Sequence, residues 1–479
     1  MKQILYSFHF RAIVVVFLGL IPAKAVFAQN FQRQYGTAFD NGFTKVLRSG
    51  SNYYALGFDQ PAAGSVRRAT VSRLNATGQH QWTLSLDIGS VWNDAVVTPN
   101  GNLLVVGATL PVTATNQSLM ALVTPAGAFT FARSYNAPGR ESFRKIVRNP
   151  APQSASFPYY ILGAQADAGN PAWDDVVLLN VSEAGTFNWK KIYANDQDDK
   201  FSQEMEAMPN GDLMMAGHWG SDGVIFRVDN AGVLQGGATP FTASVSYADV
   251  ARNTAGGFYA VANTIGSGVP YVMKYDMDLI PVWEAVLPGL TTVSQVWEEP
   301  ANGWVYVTGT GTFGGKTRAV VLRLIESGGQ PGLDWLRFLD NGETNYQGGA
   351  TTFLSPNQIA FTDSRLPGSG GFGQLCAFIS VSDLELASCI TDEGFINTDN
   401  TSLLYNSPAL LNVNFYDTPP QTNLVASALN WQQQEVCSTV PCVADFTFQF
   451  NNCSPTVFFT NTSTGPPPLS YSWNFGYSS

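Results

Sequence analysis

GNLLVVG, residues 101–107, decides the fold: a turn, a short apolar run, and a small residue to close it. An apolar run this short, bounded by turn formers, reads as a buried β-strand. The same segment returns as SNYYALG ending at Gly57, PYYILG at Gly163, GDLMMAG at Gly217, GFYAVA at Ala262, GWVYVTG at Gly309 and NQIAFT at Thr362. Successive ends lie 50, 56, 54, 45, 47 and 53 residues apart, and a period in this range marks a repeat architecture.

A second element follows each of these anchors by 19 to 26 residues and opens on a large side chain. Its copies are WTLSLD from Trp82, FARSYN from Phe131, WKKIYA from Trp189, WEAVLP from Trp283 and WLRFLD from Trp335. The fourth copy has decayed to GGATPF and the seventh to LASCIT from Leu386. With a lead-in strand (FTKVLRS, NDAVVTP, EMEAMPN) and a β-rich run before a turn, each unit reads as four antiparallel strands. Seven such units predict an all-β, seven-bladed β-propeller over residues 29–392. One four-stranded sheet cannot hide both faces, so the blades fold as a stacked ring. FQRQYG, from Phe31, lies one period before Trp82 and is expected to complete the last blade and latch the ring. LASCIT then leaves one strand too many, and an eighth, degenerate blade from residues 393–436 is the alternative.

Composition points the same way. Charged residues are 13% of the 479, aromatics another 13%, and Gly and Pro together number 72. This favours turns and strands over exposed helices, and 45% apolar content excludes a disordered chain. A net charge of −11 argues against a nucleic-acid binder. Residues 1–28 carry Lys2 and Arg11, an apolar run over 12–21, and small residues at Val26 and Ala28. They read as a secretory signal peptide cut between Ala28 and Gln29. Its removal takes Lys2, Arg11 and Lys24 and no acids, leaving 22 cations against 36 acids. No stretch approaches 18 apolar residues, so no transmembrane span is expected.

The repeat resembles the secreted propeller repeats of Bacteroidetes-type bacteria, which read aromatic-x-x-x-Tyr-Gly, Asp, then Asp/Asn-Gly-Gly-aromatic-x-x-x-Gly. FQRQYG, Asp40 and SNYYALG carry that pattern, and the resemblance covers about residues 31–392. It implies a fold and no particular activity. Residues 441–479 resemble the first half of a polycystic-kidney-disease (PKD) domain, an immunoglobulin-like β-sandwich. Phe459-Thr460-Asn461-Thr462-Ser463 and Trp473-Asn474-Phe475-Gly476 match its F-x-N-x-S and W-x-F-G motifs, with Tyr477 where the family has Asp. The resemblance implies a truncated domain; residues 393–440, with Asn, Thr, Ser and Pro spread throughout, read as a β-prone connector to the ring.

Chemistry-bearing motifs are sparse. Beyond the signal peptide only His80 and His218 remain, and neither has a partner at metal or triad spacing. His218 with Trp219, just past the Gly217 anchor, is a candidate ligand contact at the channel; the alternative is a packed loop histidine. Asp196, Asp198 and Asp199 could offer oxygens to Ca²⁺, though the loop lacks the Gly and distal Glu of a calcium-binding pattern. No other cofactor is expected. The leading aromatics Trp82, Trp189, Trp283 and Trp335 recur once per blade and are assigned to packing. Those outside the register, Trp92, Trp173, Trp219 and Trp297, are the candidates for ligand contact.

The cysteines all fall late, and in an exported chain disulfides are expected. Cys376 would face Cys389 across a hairpin tipped by Ser382-Asp383, with two buried thiols as the alternative; Cys442 and Cys453 are a second pair, leaving Cys437 over. Leu74 to Trp82 approaches the Ala-x-Asp-x-x-Thr-Gly-x-x-x-Trp motif of quinoprotein dehydrogenases but is a residue short and has Asn for Asp. That family is set aside. These readings predict an exported, non-catalytic binding or adhesion scaffold presenting loops to polysaccharide or a surface protein. An extracellular polysaccharide hydrolase or lyase with channel carboxylates is the alternative, and a structural segment of a longer surface protein is a third.

Overall fold

The computed structural model describes residues 31–383 with breaks at 37–39, 63, 111–115, 136–138, 167–173, 195–199, 220–221, 241–243, 267–268, 288–289, 314, 340–350, 356–357 and 366–375, and then eight short strands between 390 and 461. The expected signal peptide lies outside the described residues. The chain opens with β1 (Phe31–Gly36). Blade 1 is β2 (Asn41–Ser49), β3 (Asn52–Asp59), β4 (Arg68–Leu74) and β5 (His80–Leu86). Blade 2 is β6 (Ser90–Val97), β7 (Leu103–Thr109), β8 (Ser118–Val123) and β9 (Phe129–Tyr135). Blade 3 is β10 (Glu141–Arg148), β11 (Tyr159–Ala166), β12 (Asp174–Val181) and β13 (Phe187–Ala194). Blade 4 is β14 (Lys200–Ala207), β15 (Leu213–Trp219), β16 (Asp222–Val228) and β17 (Leu234–Pro240). Blade 5 is β18 (Val245–Asn253), β19 (Gly257–Thr264), β20 (Pro270–Tyr275) and β21 (Pro281–Val286). Blade 6 is β22 (Leu290–Glu299), β23 (Trp304–Phe313), β24 (Lys316–Ser327) and β25 (Gln330–Leu339). Blade 7 holds β26 (Thr351–Ser355), β27 (Gln358–Arg365) and β28 (Cys376–Asp383), and β1 pairs antiparallel with β28 to supply its fourth strand.

The chain is a seven-bladed β-propeller. Seven apolar clusters sit one at each blade interface, including the closing one, where Phe31, Tyr35 and Ala360 pack on Phe43, Val46 and Tyr53. The expected latch by FQRQYG is therefore present, and Arg48 Nη1 donates to Gln358 Oε1 at 3.0 Å across the same junction.

The aromatic-x-x-x-Tyr motif acts as a clasp between blades. Phe31 lies against Gly78 in the last turn of blade 1, so that a Cβ there would sit 2.4 Å from its ring. Trp82 lies likewise against Gly127, Phe131 against Gly185 and Trp189 against Gly232. Four residues on, Tyr35, Tyr135 and Tyr193 donate their hydroxyls to the carbonyls of Gly78, Gly185 and Gly232. These glycines have φ between +73° and +82°, which a glycine adopts without steric cost. The tryptophans assigned to packing do pack: Tyr54–Trp82, Tyr160–Trp189, Tyr259–Trp283 and Tyr306–Trp335 have ring centroids 5.8–6.0 Å apart.

Among the described residues no eighth blade forms. Residues beyond blade 7 instead run backward round the ring as a belt of fifth strands. β29 (Ile390–Glu393) pairs with β25 of blade 6, β30 (Tyr405–Asn406) with β17 of blade 4, and β31 (Leu411–Phe415) with β13 of blade 3. β32 (Gln421–Asn423) follows on β9 of blade 2, β33 (Ala426–Leu429) on β5 of blade 1, and β34 (Gln432–Ser438) on β1. Each covers an edge whose backbone groups would otherwise face solvent. Of the strand that seemed surplus, Ile390 and Thr391 fall in β29, on the edge of blade 6. β28 runs straight through Ser382 and Asp383 with β27 and β1 on its two edges, so the expected hairpin is not formed. Cys389, Cys442 and Cys453 lie outside the described residues, as do 441–445. Of the region resembling a PKD domain, a hairpin of β35 (Phe446–Phe450) and β36 (Val457–Asn461) is described.

Candidate functional site

In six blades the inner strand breaks register next to the anchor. The shift falls between Phe43 and Lys45, Trp92 and Asp94, Phe143 and Lys145, Ser202 and Glu204, Tyr247 and Asp249, and Val293 and Gln295. A bulge folds backbone toward the neighbouring strand, and that strand must supply a small residue. A Cβ on Gly57 would lie 2.1 Å from the Gly42 carbonyl oxygen, one on Gly107 2.0 Å from that of Val91, and one on Gly309 2.0 Å from that of Thr292. The repeated small residue of the sequence is thus the counterpart of a bulge, and a bulge re-aims the side chain after it.

In six blades that side chain is Lys45, Asp94, Lys145, Glu204, Asp249 or Gln295, five of them charged. Lys45 pairs with Asp94 and Lys145 with Glu204 across adjacent blades. The second oxygen of Asp94 accepts the Ile146 N–H at 2.9 Å, and Asp249 accepts the Val296 N–H at 2.9 Å, again from the next blade. Glu298 accepts the N–H and the hydroxyl of Thr254, both at 2.7 Å. Burial would lower the Lys145 pKa, but the carboxylates of Glu204, Asp94 and Asp249 outweigh it and hold the amine above its usual range. Burial raises Glu206 to about 7 despite Arg252 and Lys145. Asp249 is raised by burial and by Glu204, against the pull of Lys145.

These strands line two adjoining cavities of about 500 and 230 Å³ that share Lys145, Glu206, Arg252, Thr352 and Phe353. The larger is lined by five cations (Lys45, Arg48, Lys145, Arg148 and Arg252) against Asp94 and Glu206. Three residues past the bulge position, β2, β10 and β18 each carry an arginine: Arg48, Arg148 and Arg252. Arg148 and Arg252 are exposed. Arg252 stands 4.0 Å from Glu206, at the limit of an ion pair, and Arg148 has no ion-pair partner among the described residues. In the smaller cavity Trp297 and Phe353 stack with centroids 5.3 Å apart and planes 22° from parallel.

The residues singled out from sequence fall mostly elsewhere. His218 lies on β15, half-buried, with Nδ1 3.5 Å from Ser246 Oγ, and lines neither cavity. Trp219 ends the same strand opposite Asp222. His80 sits on the fourth strand of blade 1, with Nε2 2.8 Å from Thr83 Oγ1, and burial lowers its pKa. Asp196, Asp198, Asp199 and Trp173 lie outside the described residues, among which no cluster of three metal-ligating side chains occurs. Trp92 is 1% exposed in the core between blades 1 and 2, not at a surface. Trp297 lines the channel. The charged ring was missed, although Lys45-Val-Leu-Arg48, Lys145-Ile-Val-Arg148 and Asp249-Val-Ala-Arg252 repeat a charge-apolar-apolar-arginine pattern at equivalent positions.

No protein-family model and no curated protein matches the chain. Solved structures similar to it include a protein of unknown function from Bacteroides caccae (13% identity, 64% of this chain and 94% of that one, TM-score 0.37). The Dos1 propeller has 9% identity over 74% and 95% of the two chains, with a TM-score of 0.45. An α-L-arabinanase from Penicillium chrysogenum, solved with arabinobiose, has 10% identity over 74% and 98%, with a TM-score of 0.40.

Proposed function

We propose that this chain is an exported, non-catalytic binding scaffold whose channel mouth receives a polysaccharide or surface-protein ligand. The observation that carries the reading is the commitment of the channel acids. Asp94 is held by Lys45 and a backbone N–H, Glu204 by Lys145, Asp249 by a backbone N–H, and Glu298 by Thr254. Such carboxylates fasten neighbouring blades, whereas a glycosidase needs two of them turned toward the scissile bond. The cavity is large enough for a ligand of a few sugar or amino-acid units.

Glu206 and Asp249 favour the second reading, an extracellular hydrolase or lyase. Both keep their protons toward neutral pH, as a general acid would. A glycan array paired with a reducing-end assay separates the two. The scaffold reading expects retention of at least one glycan or surface protein with no new reducing ends. Turnover that vanishes in Glu206→Gln or Asp249→Asn would replace it with the enzyme.

A further inference from the structure

We propose that the channel mouth recognises an anionic oligosaccharide, its acid groups meeting Arg148 and Arg252 and a sugar ring lying on the Trp297–Phe353 pair. The inference rests on the scaffold reading and specifies its ligand. Three features of the channel support it, each arising separately.

The first is local charge. The whole chain has 25 cations against 36 acids, yet the larger cavity has five cations against two acids. A wall of opposite sign to the rest of the molecule focuses an anion onto it. The second is the state of the cations. Lys45 and Lys145 are neutralised by Asp94 and Glu204, and Arg48 is engaged by Gln358 and the Gly50 carbonyl. Arg148 has no carboxylate beside it among the described residues, and Arg252 has only the distant Glu206. Two exposed guanidinium groups on blades 3 and 5 therefore face one cavity with donor capacity left over, in the planar geometry that suits carboxylate and sulfate.

The third feature selects a sugar over an acidic peptide. The adjoining cavity, which shares Arg252 and Phe353 with the first, is lined by the stacked Trp297 and Phe353. Both rings remain partly exposed. An aromatic surface next to guanidinium donors suits a ring with axial C–H groups and a pendant acid. An extended acidic peptide would use the arginines and has no need of the platform.

The test titrates the full chain by calorimetry with four hexamers: galacturonate, a sulfated galactan, neutral xylose, and glutamate. Galacturonate or the sulfated galactan should bind saturably, and which binds tighter identifies the acid. Affinity should fall at least tenfold in Arg148→Gln/Arg252→Gln and return in part with lysine at both positions. Arg67→Gln, on a guanidinium stacked over Phe58 and lining neither cavity, should match the parent. Trp297→Leu should weaken the sugar hexamers; circular dichroism confirms that each variant is folded. Equal or tighter binding of hexaglutamate overturns the proposal in favour of an acidic peptide. Arginine-independent binding of neutral xylose also overturns it but leaves the scaffold reading standing. Cleavage of bound galacturonate would remove the scaffold reading and keep the anionic ligand. Silence toward all four by folded protein overturns the proposal.

Discussion

At the interface of blades 4 and 5 the usual sizes are exchanged. Gly236 stands where Trp82, Phe131 and Trp189 stand in blades 1 to 3, and Leu279 takes the turn position held elsewhere by Gly78, Gly127, Gly185 and Gly232. Leu279 adopts φ +65° to do so, is 7% exposed, and its Cδ1 would touch a Cβ built on Gly236 at 3.6 Å. Burial of a leucine offsets a left-handed backbone that costs about 1–2 kcal/mol. Leu279→Gly should therefore destabilise by about 1–3 kcal/mol, less than a typical core truncation, because strain is relieved as the cavity opens. Restoring the common pair in Gly236→Trp/Leu279→Gly should leave the protein more stable than Gly236→Trp alone, by at least about 1 kcal/mol in a double-mutant cycle. Gly78→Ala has no such remedy. Its Cβ meets the Phe31 ring at a φ of +75°, and urea unfolding should show a loss of about 2–4 kcal/mol.

The inner strand is the element on which the site is built. Opposite its bulge in blade 2 there is no room for a side chain, so Gly107→Ala should disturb β6 and the Asp94 contacts. Gly236→Ala, with nothing nearer than 3.6 Å, should be tolerated, and comparing the two melting curves tests the assignment. The same strands set a pH dependence. Glu206 and Asp249 retain protons to about pH 7 and 8 in the folded state, from ordinary values of 4.5 and 3.8. They face Lys145 of β10, Glu204 of β14 and, for Glu206, Arg252 of β18. Between those limits the folded chain binds more protons than the unfolded one, so these two acids make stability fall as pH rises from about 4 to 8 and level above it. Asp249→Asn keeps the acceptor for the Val296 N–H and should flatten the upper part of that slope in denaturant titrations at stepped pH.

For the whole molecule, closure depends on both ends of the propeller segment. β1 is held between β28 and β34, so the latch itself is fastened by the belt. Ending the chain after Asp383 should lower the melting temperature by about 5 °C or more and expose strand edges that self-associate. Calorimetry and light scattering would check both; an unchanged melt with a monodisperse monomer would show the belt to be dispensable. Blade 5 receives no fifth strand among the described residues, and its outer strand β21 leaves Val282 49% exposed beside Ile280 at 60%.

Period, strand order and the N-terminal latch were legible in the sequence because each leaves a side-chain signature. A buried strand demands an apolar run, a bulge demands a small residue opposite, and a clasp demands an aromatic ring at one site and a glycine at another. The belt left no such signature: β30 and β32 span two and three residues and pair by backbone register, which any polar stretch can do. The candidate site was hidden for a different reason. Lys45, Asp94, Lys145, Glu204 and Asp249 stand about fifty residues apart, with Arg252 three beyond the last, and each is an unremarked charge within its strand. Closure of the ring brings them to one channel, where neutralisation of some by others decides which guanidinium groups are left for a ligand.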